Sequence, residues 1–148
     1  MTATAHQGRL LAVDSGARRI GLALSDETQT LAQPLTTLTR RPGKRFPMRE
    51  LLTLLDRHAV AGVVVGLPLT PEGAEGDAAR GARELAAAIA ARSGRPVALW
   101  DERLTTARAL QTVRDLGGLP RGRRGVVDAL AATVLLQHYL DTRRGSAT

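Results

Sequence analysis

Residues 61–66 read Ala-Gly-Val-Val-Val-Gly with no polar side chain, and this stretch constrains the fold more than any other. A strand with one solvated face alternates apolar and polar residues. An unbroken apolar run belongs instead to a strand covered on both faces, so the chain must place helices on both sides of a sheet. Ahead of it, residues 9–14 and 19–26 form two more apolar runs joined by the hairpin-like turn Ser15-Gly16-Ala17-Arg18. Residues 31–39 predict a third, weaker strand interrupted by Pro34, and residues 40–45 are a basic loop. Phe46, Leu51, Leu52, Leu54 and Leu55 then recur at helical spacing up to His58. Residues 67–76 are a Gly- and Pro-bearing loop. Ala82, Leu85, Ala86, Ile89 and Ala90 repeat at helical spacing as far as the stop signal Ser93-Gly94.

A fifth strand is expected over 97–101 and a helix from Thr105 or Thr106 to Leu116. A last helix, from about Val126 to Leu140, is apolar nearly all round and is expected to be buried. An antiparallel start followed by β-α alternation gives an α/β fold, a mixed sheet flanked by helices. The chain has 148 residues, 43% of them hydrophobic, which suits one domain with its own core. That domain is assigned to residues 1–141, leaving 142–148 as a flexible C-terminal tail.

Absences exclude whole classes of chemistry. With no cysteine, disulfide frameworks, thiolate zinc sites and cysteine nucleophiles are impossible. His6, His58 and His138 are scattered, and neither His-Glu-x-x-His nor Gly-x-Ser-x-Gly occurs. No apolar stretch is long enough for a membrane span and residues 1–8 lack a signal-peptide core, so a cytoplasmic protein with no membrane partner is expected. The formal net charge of +7, carried by twenty Arg and the single Lys44, favours a polyanion such as nucleic acid. Phe46, Trp100 and Tyr139 are the only aromatics, too few for a base-stacking platform, so recognition is expected to rest on phosphate and shape.

Three carboxylates stand where charge is costly. Asp14 closes the run Leu10-Leu11-Ala12-Val13, Glu102 follows the strand ending at Asp101, and Asp128 sits among Val126, Val127, Ala129 and Leu130. Each has an ordinary explanation taken singly. Asp14 can bond turn amides, Asp128 can gain from the dipole at the first turn of its helix, and Glu102 can form a surface ion pair. Taken together they describe oxygen ligands for hard divalent cations, gathered where strand ends and one helix meet. A pair of Mg²⁺ or Mn²⁺ ions about 4 Å apart would then serve phosphodiester hydrolysis. Arg18 and Arg19 follow Asp14, Arg103 follows Glu102, and Arg121, Arg123 and Arg124 precede Asp128, as contacts to substrate phosphate would.

Four segments carry a resemblance to a known family: residues 11–26 around Asp14, 64–69 (Val-Val-Gly-Leu-Pro-Leu), 100–106 (Trp-Asp-Glu-Arg-Leu-Thr-Thr) and 127–140 around Asp128. In this order and over nearly the whole chain they closely resemble the YqgF/RuvX family of pre-16S rRNA nucleases and Holliday-junction-resolvase-like proteins. The resemblance implies an RNase H-like fold with a mixed five-stranded sheet, the first three strands antiparallel and the others parallel. It places Asp14, Glu102 and Asp128 at metal-binding catalytic positions, and Gly66, Pro68, Arg103, Thr105 and Thr106 at supporting positions. Two departures stand out: Ala17 replaces a common Lys, and Leu119-Pro120-Arg121 replaces a Lys-rich approach to the last helix. The implied activity is metal-dependent cleavage of nucleic acid. The first expected substrate is the 5′ end of pre-16S rRNA; the alternative is a branched DNA junction cut by a homodimer. A non-catalytic RNA-binding assembly factor is the remaining reading, and an actin-like ATPase is disfavoured because one domain cannot enclose a nucleotide between two.

Overall fold

The computed structural model describes residues 4–104 and 124–146. The two N-terminal apolar runs become β1 (Arg9–Ser15) and β2 (Arg19–Ser25), paired antiparallel with Asp14 opposite Gly21. The intervening turn closes through the Gly16 amide on the Arg19 carbonyl at 2.9 Å. β3 (Ala32–Thr39) adds to the outer side of β2, and it survives Pro34 for two reasons. It is the edge strand, and its register against β2 shifts beside Pro34, where Leu22 faces Thr36 and Ala23 faces Pro34. A bulge at an edge is where a residue lacking an amide proton costs the ladder least.

The uninterrupted apolar run is β4 (Val60–Leu67), parallel to β1 on one side and to β5 (Val97–Asp101) on the other. Its covering is as its composition requires: every residue except Ala61 is buried. The sheet order is β3-β2-β1-β4-β5. The first three strands are antiparallel and the rest parallel, as expected.

Helices α1 (Met48–Arg57) and α2 (Asp77–Ser93) lie on one face, against Leu11, Val13, Leu22, Val63, Val65 and Val97. α2 stops where Gly94 takes a left-handed φ of 70°, a conformation glycine adopts without steric cost. The helix proposed from Thr105 or Thr106 to Leu116 lies outside the described residues. The last helix, α3 (Arg124–Ser146), covers the other face, setting Ala131, Ala132, Leu135, Leu136, Tyr139 and Leu140 on Leu10, Ala12, Ala23, Val64 and Ala98.

One expectation about α3 is corrected. It is not buried all round, because Val126 and Leu130 project to solvent at 54% and 40% exposure. Its helix runs on to Ser146, past the Thr142 at which a C-terminal tail was expected to begin. Arg143 holds that last turn by donating to the Ala5 carbonyl at 3.1 Å and to the Tyr139 hydroxyl at 3.2 Å, with its guanidinium over the Tyr139 ring. No helix among the described residues is long and apolar enough to cross a membrane.

Candidate active site

Because β1, β4 and β5 run parallel and β2 returns from the turn after β1, one end of the sheet collects the ends of four strands. Side chains alternate between faces, so Leu10 and Ala12 on the α3 face put Asp14 there too. Across β2 its partner is Gly21. Towards β4 the Val13–Val65 pairing, continued by one residue, sets Asp14 beside Gly66. Asp14 thus stands between two glycines, and both gaps are filled from elsewhere in the chain. A Cβ on Gly21 would collide with the Asp128 carbonyl, and a Cβ on Gly66 would collide with Glu102 Oε1. Glu102 arrives there because it opens a short 3-10 turn (Glu102–Leu104) directly after β5. Asp128 arrives because it shares a helical stripe with Ala132, Leu135 and Tyr139, the residues that seat α3 on the sheet.

The three proposed carboxylates, separated by up to 114 residues, are therefore brought to one sheet end and one face. They are buried: Asp14 and Asp128 are 0% exposed and Glu102 is 3% exposed. Asp128 lies more than a turn inside α3 as described, since the helix includes Arg124 rather than starting near Val126, so a first-turn dipole effect does not account for it.

What neutralises Asp128 is Arg19, whose Nε donates to Oδ2 at 2.6 Å. Arg19 was expected to reach substrate phosphate; it faces inward, to a carboxylate of the site. Among the described residues no group of three His, Asp or Glu side chains is arranged to hold a metal ion.

Arg103 is likewise occupied. It donates from Nε and a terminal nitrogen to the Asp101 carboxylate, at 3.2 and 2.9 Å, and from its other terminal nitrogen to the Pro71 carbonyl at 3.2 Å. The Asp101 carboxylate raises its already high pKa further. Its visible work is to pin the 67–76 loop to the end of β5. Arg18 is exposed on the β1–β2 turn, and its carbonyl accepts from the Arg40 amide at 2.9 Å. Gly66 is buried under Glu102, and Pro68 is half-buried beyond it. Thr105, Thr106, Arg121 and Arg123 lie outside the described residues, as does the side chain of Arg124.

Sequence reasoning missed Gly21. A glycine inside an otherwise apolar strand is a sign of close approach by another backbone, and here α3 makes that approach.

Comparison with known proteins agrees with this architecture. The family model described as "RuvX: Holliday junction resolvase" matches residues 8–142. Curated relatives described as "Putative pre-16S rRNA nuclease" include one from Chloroflexus aggregans, 42% identical over 94% of this chain and 97% of its own length. Another, from Anaeromyxobacter, is 43% identical over 91% of this chain and 98% of its own. Among solved structures, Thermus thermophilus RuvC in complex with a Holliday junction substrate superposes with a TM-score of 0.50 at 23% identity, over 93% of this chain and 96% of that one, a likeness of fold. With an RNase H-like sheet, the expected order of elements and relatives about 40% identical over nearly its full length, this chain belongs to the YqgF/RuvX family.

Proposed function

We propose that this protein is a divalent-metal-dependent endonuclease that trims the 5′ end of pre-16S rRNA, with Asp14, Glu102 and Asp128 as its catalytic metal ligands. The observation that carries the reading is the gathering of three buried carboxylates at one sheet end, on elements with no sequence proximity. Buried carboxylates are stable only where cations or hydrogen-bond donors meet them, and Arg19 is one such cation, at Asp128. The donor set is all oxygen, which suits Mg²⁺ or Mn²⁺. When bound, two such ions would polarise the phosphodiester and lower the pKa of an attacking water.

The chain's own residues do the rest. Gly21 and Gly66 leave the space in which α3 and Glu102 approach Asp14. Arg19 holds the Asp128 carboxylate in place at the sheet end, where it would serve as a ligand. Arg18, exposed on the turn beside Asp14, would meet backbone phosphate, the sequence-independent part of nucleic-acid affinity. The relatives' description supports RNA as substrate.

The test offers purified protein, with Mn²⁺ or Mg²⁺, a labelled precursor rRNA fragment and a labelled four-way DNA junction side by side. Cleavage of the RNA, abolished by Asp14→Asn, is expected. Symmetric paired nicks in the junction alone would replace the substrate with branched DNA. Unchanged function in the Asp14→Asn protein would leave only a binding role.

A further inference from the structure

We propose that a cavity on the α1/α2 side of the catalytic sheet end receives one unpaired nucleobase of the substrate, with its neighbouring phosphate on the basic loop 40–45. This deepens the nuclease reading and rests on it. The cavity measures about 550 Å³, within the range of sites that hold small organic groups. Phe46, Met48, Pro68 and Leu85 give it an apolar lining, and Gly81 of α2 forms part of its wall. It shares two backbone positions with the carboxylate site. Ser15, in its lining, directly follows Asp14, and Gly66 lies between the cavity and the Glu102 carboxylate. One thickness of strand therefore separates the two, and a nucleic-acid strand crossing the sheet end can present a phosphate to one and a base to the other.

The chemistry of the rim selects the occupant. Arg40 is held by the Gly16 carbonyl at 2.8 Å, the Ser15 hydroxyl at 2.5 Å and the Lys44 carbonyl at 3.0 Å, and its guanidinium covers Phe46 with 6.0 Å between the guanidinium carbon and the ring centroid. Burial lowers its pKa, and among the described residues no carboxylate pairs with it. Lys44 and Arg45 are exposed on the same loop, which is fastened by the Arg41–Arg45 bridge and by the ion pair of Arg41 with Glu50. The lining joins an aromatic ring and the Arg40 guanidinium with small residues and one carboxylate, Glu84 on the α2 side, while Lys44 and Arg45 stand on the adjoining loop. This fits a planar base inside with its phosphate on the loop, away from Glu84, and not an acidic peptide or an uncharged metabolite. One aromatic stacks one base, so the scarcity of aromatics in the chain is no obstacle to a single-base subsite.

The test uses full-length protein in EDTA, so that binding is read without turnover, and a single-stranded RNA oligonucleotide carrying 2-aminopurine. Stacking against Phe46 should quench the probe. Gly81→Leu fills the cavity at a position where a Cβ meets nothing within 4 Å, and a better helix former there should leave the melting temperature at or above that of the parent. At least a tenfold loss of affinity for the single strand is expected, with the quench abolished and blunt-duplex binding unchanged. Phe46→Leu, which keeps the apolar volume, should also abolish the quench. Parental affinity and quenching in both folded variants would overturn the subsite, even if the parent cleaves RNA. Cavity-dependent quenching by a protein that cleaves nothing would instead overturn the nuclease reading and leave a single-strand binding site.

Discussion

Arg19 Nε donates to Asp128 Oδ2 at 2.6 Å, joining the start of β2 to α3 across 109 positions of sequence. The carboxylate is fully buried and the Arg19 side chain is 22% exposed, so the pair is only lightly screened by solvent. Removing one member leaves the other without its cation, typically at a cost of about 3–5 kcal/mol for fully buried pairs and less here. Arg19→Gln should therefore lower the urea midpoint. If divalent ions compete with Arg19 for Asp128, Mn²⁺ should raise the melting temperature of the variant more than that of the parent. Equal increments in the two proteins would show that Arg19 and the ion do not share this ligand.

The two glycines beside Asp14 should respond differently to a methyl group. At Gly21 the obstruction is backbone, the Asp128 carbonyl and the Ala129 amide, so Gly21→Ala must displace α3 and should cost about 1–3 kcal/mol in denaturant unfolding. At Gly66 the nearest atoms are the Glu102 carboxylate and a Leu135 methyl, both of which can yield. Gly66→Ala should cost less stability yet reduce nuclease turnover by at least a hundredfold, because the atom it moves is a proposed ligand. The reverse ranking would detach Glu102 from the chemistry.

Deleting residues 142–148 tests the last turn of α3. Arg143 bonds to Ala5 and Tyr139 there, and its Nη2 lies 2.7 Å from His6 Nδ1. With each such bond contributing about 1 kcal/mol, the truncated chain should melt several degrees lower. A flexible tail would be removed without effect.

Acid should open the 26–31 loop early. The Asp26 carboxylate accepts from the Thr30 amide at 2.7 Å, the Leu31 amide at 3.2 Å and the Thr28 hydroxyl at 2.9 Å, and the first-named bond is the largest cause holding its pKa below the ordinary 3.8. A depressed folded-state pKa contributes stability that is present above the unfolded value and lost as pH falls through the folded one. Amide exchange at Thr30 and Leu31 should accelerate below pH 3.8 in the parent, and Asp26→Asn should show that faster exchange already at neutral pH.

How far the sequence could be read follows from the range of each interaction. β4 was legible because burial on both faces leaves no polar position, and β1 and β2 because their apolar runs flank a short turn. Asp14, Glu102 and Asp128 were legible as charges at the ends or within apolar elements. Their common destination depended on strand order, which local pattern does not encode; it was expected from the way strand ends of such a sheet gather at one edge beside the last helix, and the family resemblance implied the same. The inward turn of Arg19, the clearance at Gly21 and the use of Arg103 as a loop clasp all depend on partners remote in the chain or on the exact packing of α3. The helical turn at Arg143-Arg144-Gly145 was not legible because the segment is polar and breaker-containing in isolation, and its contacts are with Ala5, His6 and Tyr139.

The sharing of divalent ions by Asp14, Glu102 and Asp128 is tested most directly by titrating Mn²⁺ into the parent and the Asp14→Asn, Glu102→Gln and Asp128→Asn proteins, with free ion followed by electron paramagnetic resonance. The parent should bind tightly enough to deplete the free signal, and every one of the three substitutions should weaken that binding by at least tenfold while the protein stays folded. Undiminished binding in any folded variant would remove that residue from the site, and no binding by the parent at millimolar Mn²⁺ in the presence of substrate would contradict the shared-ion site altogether.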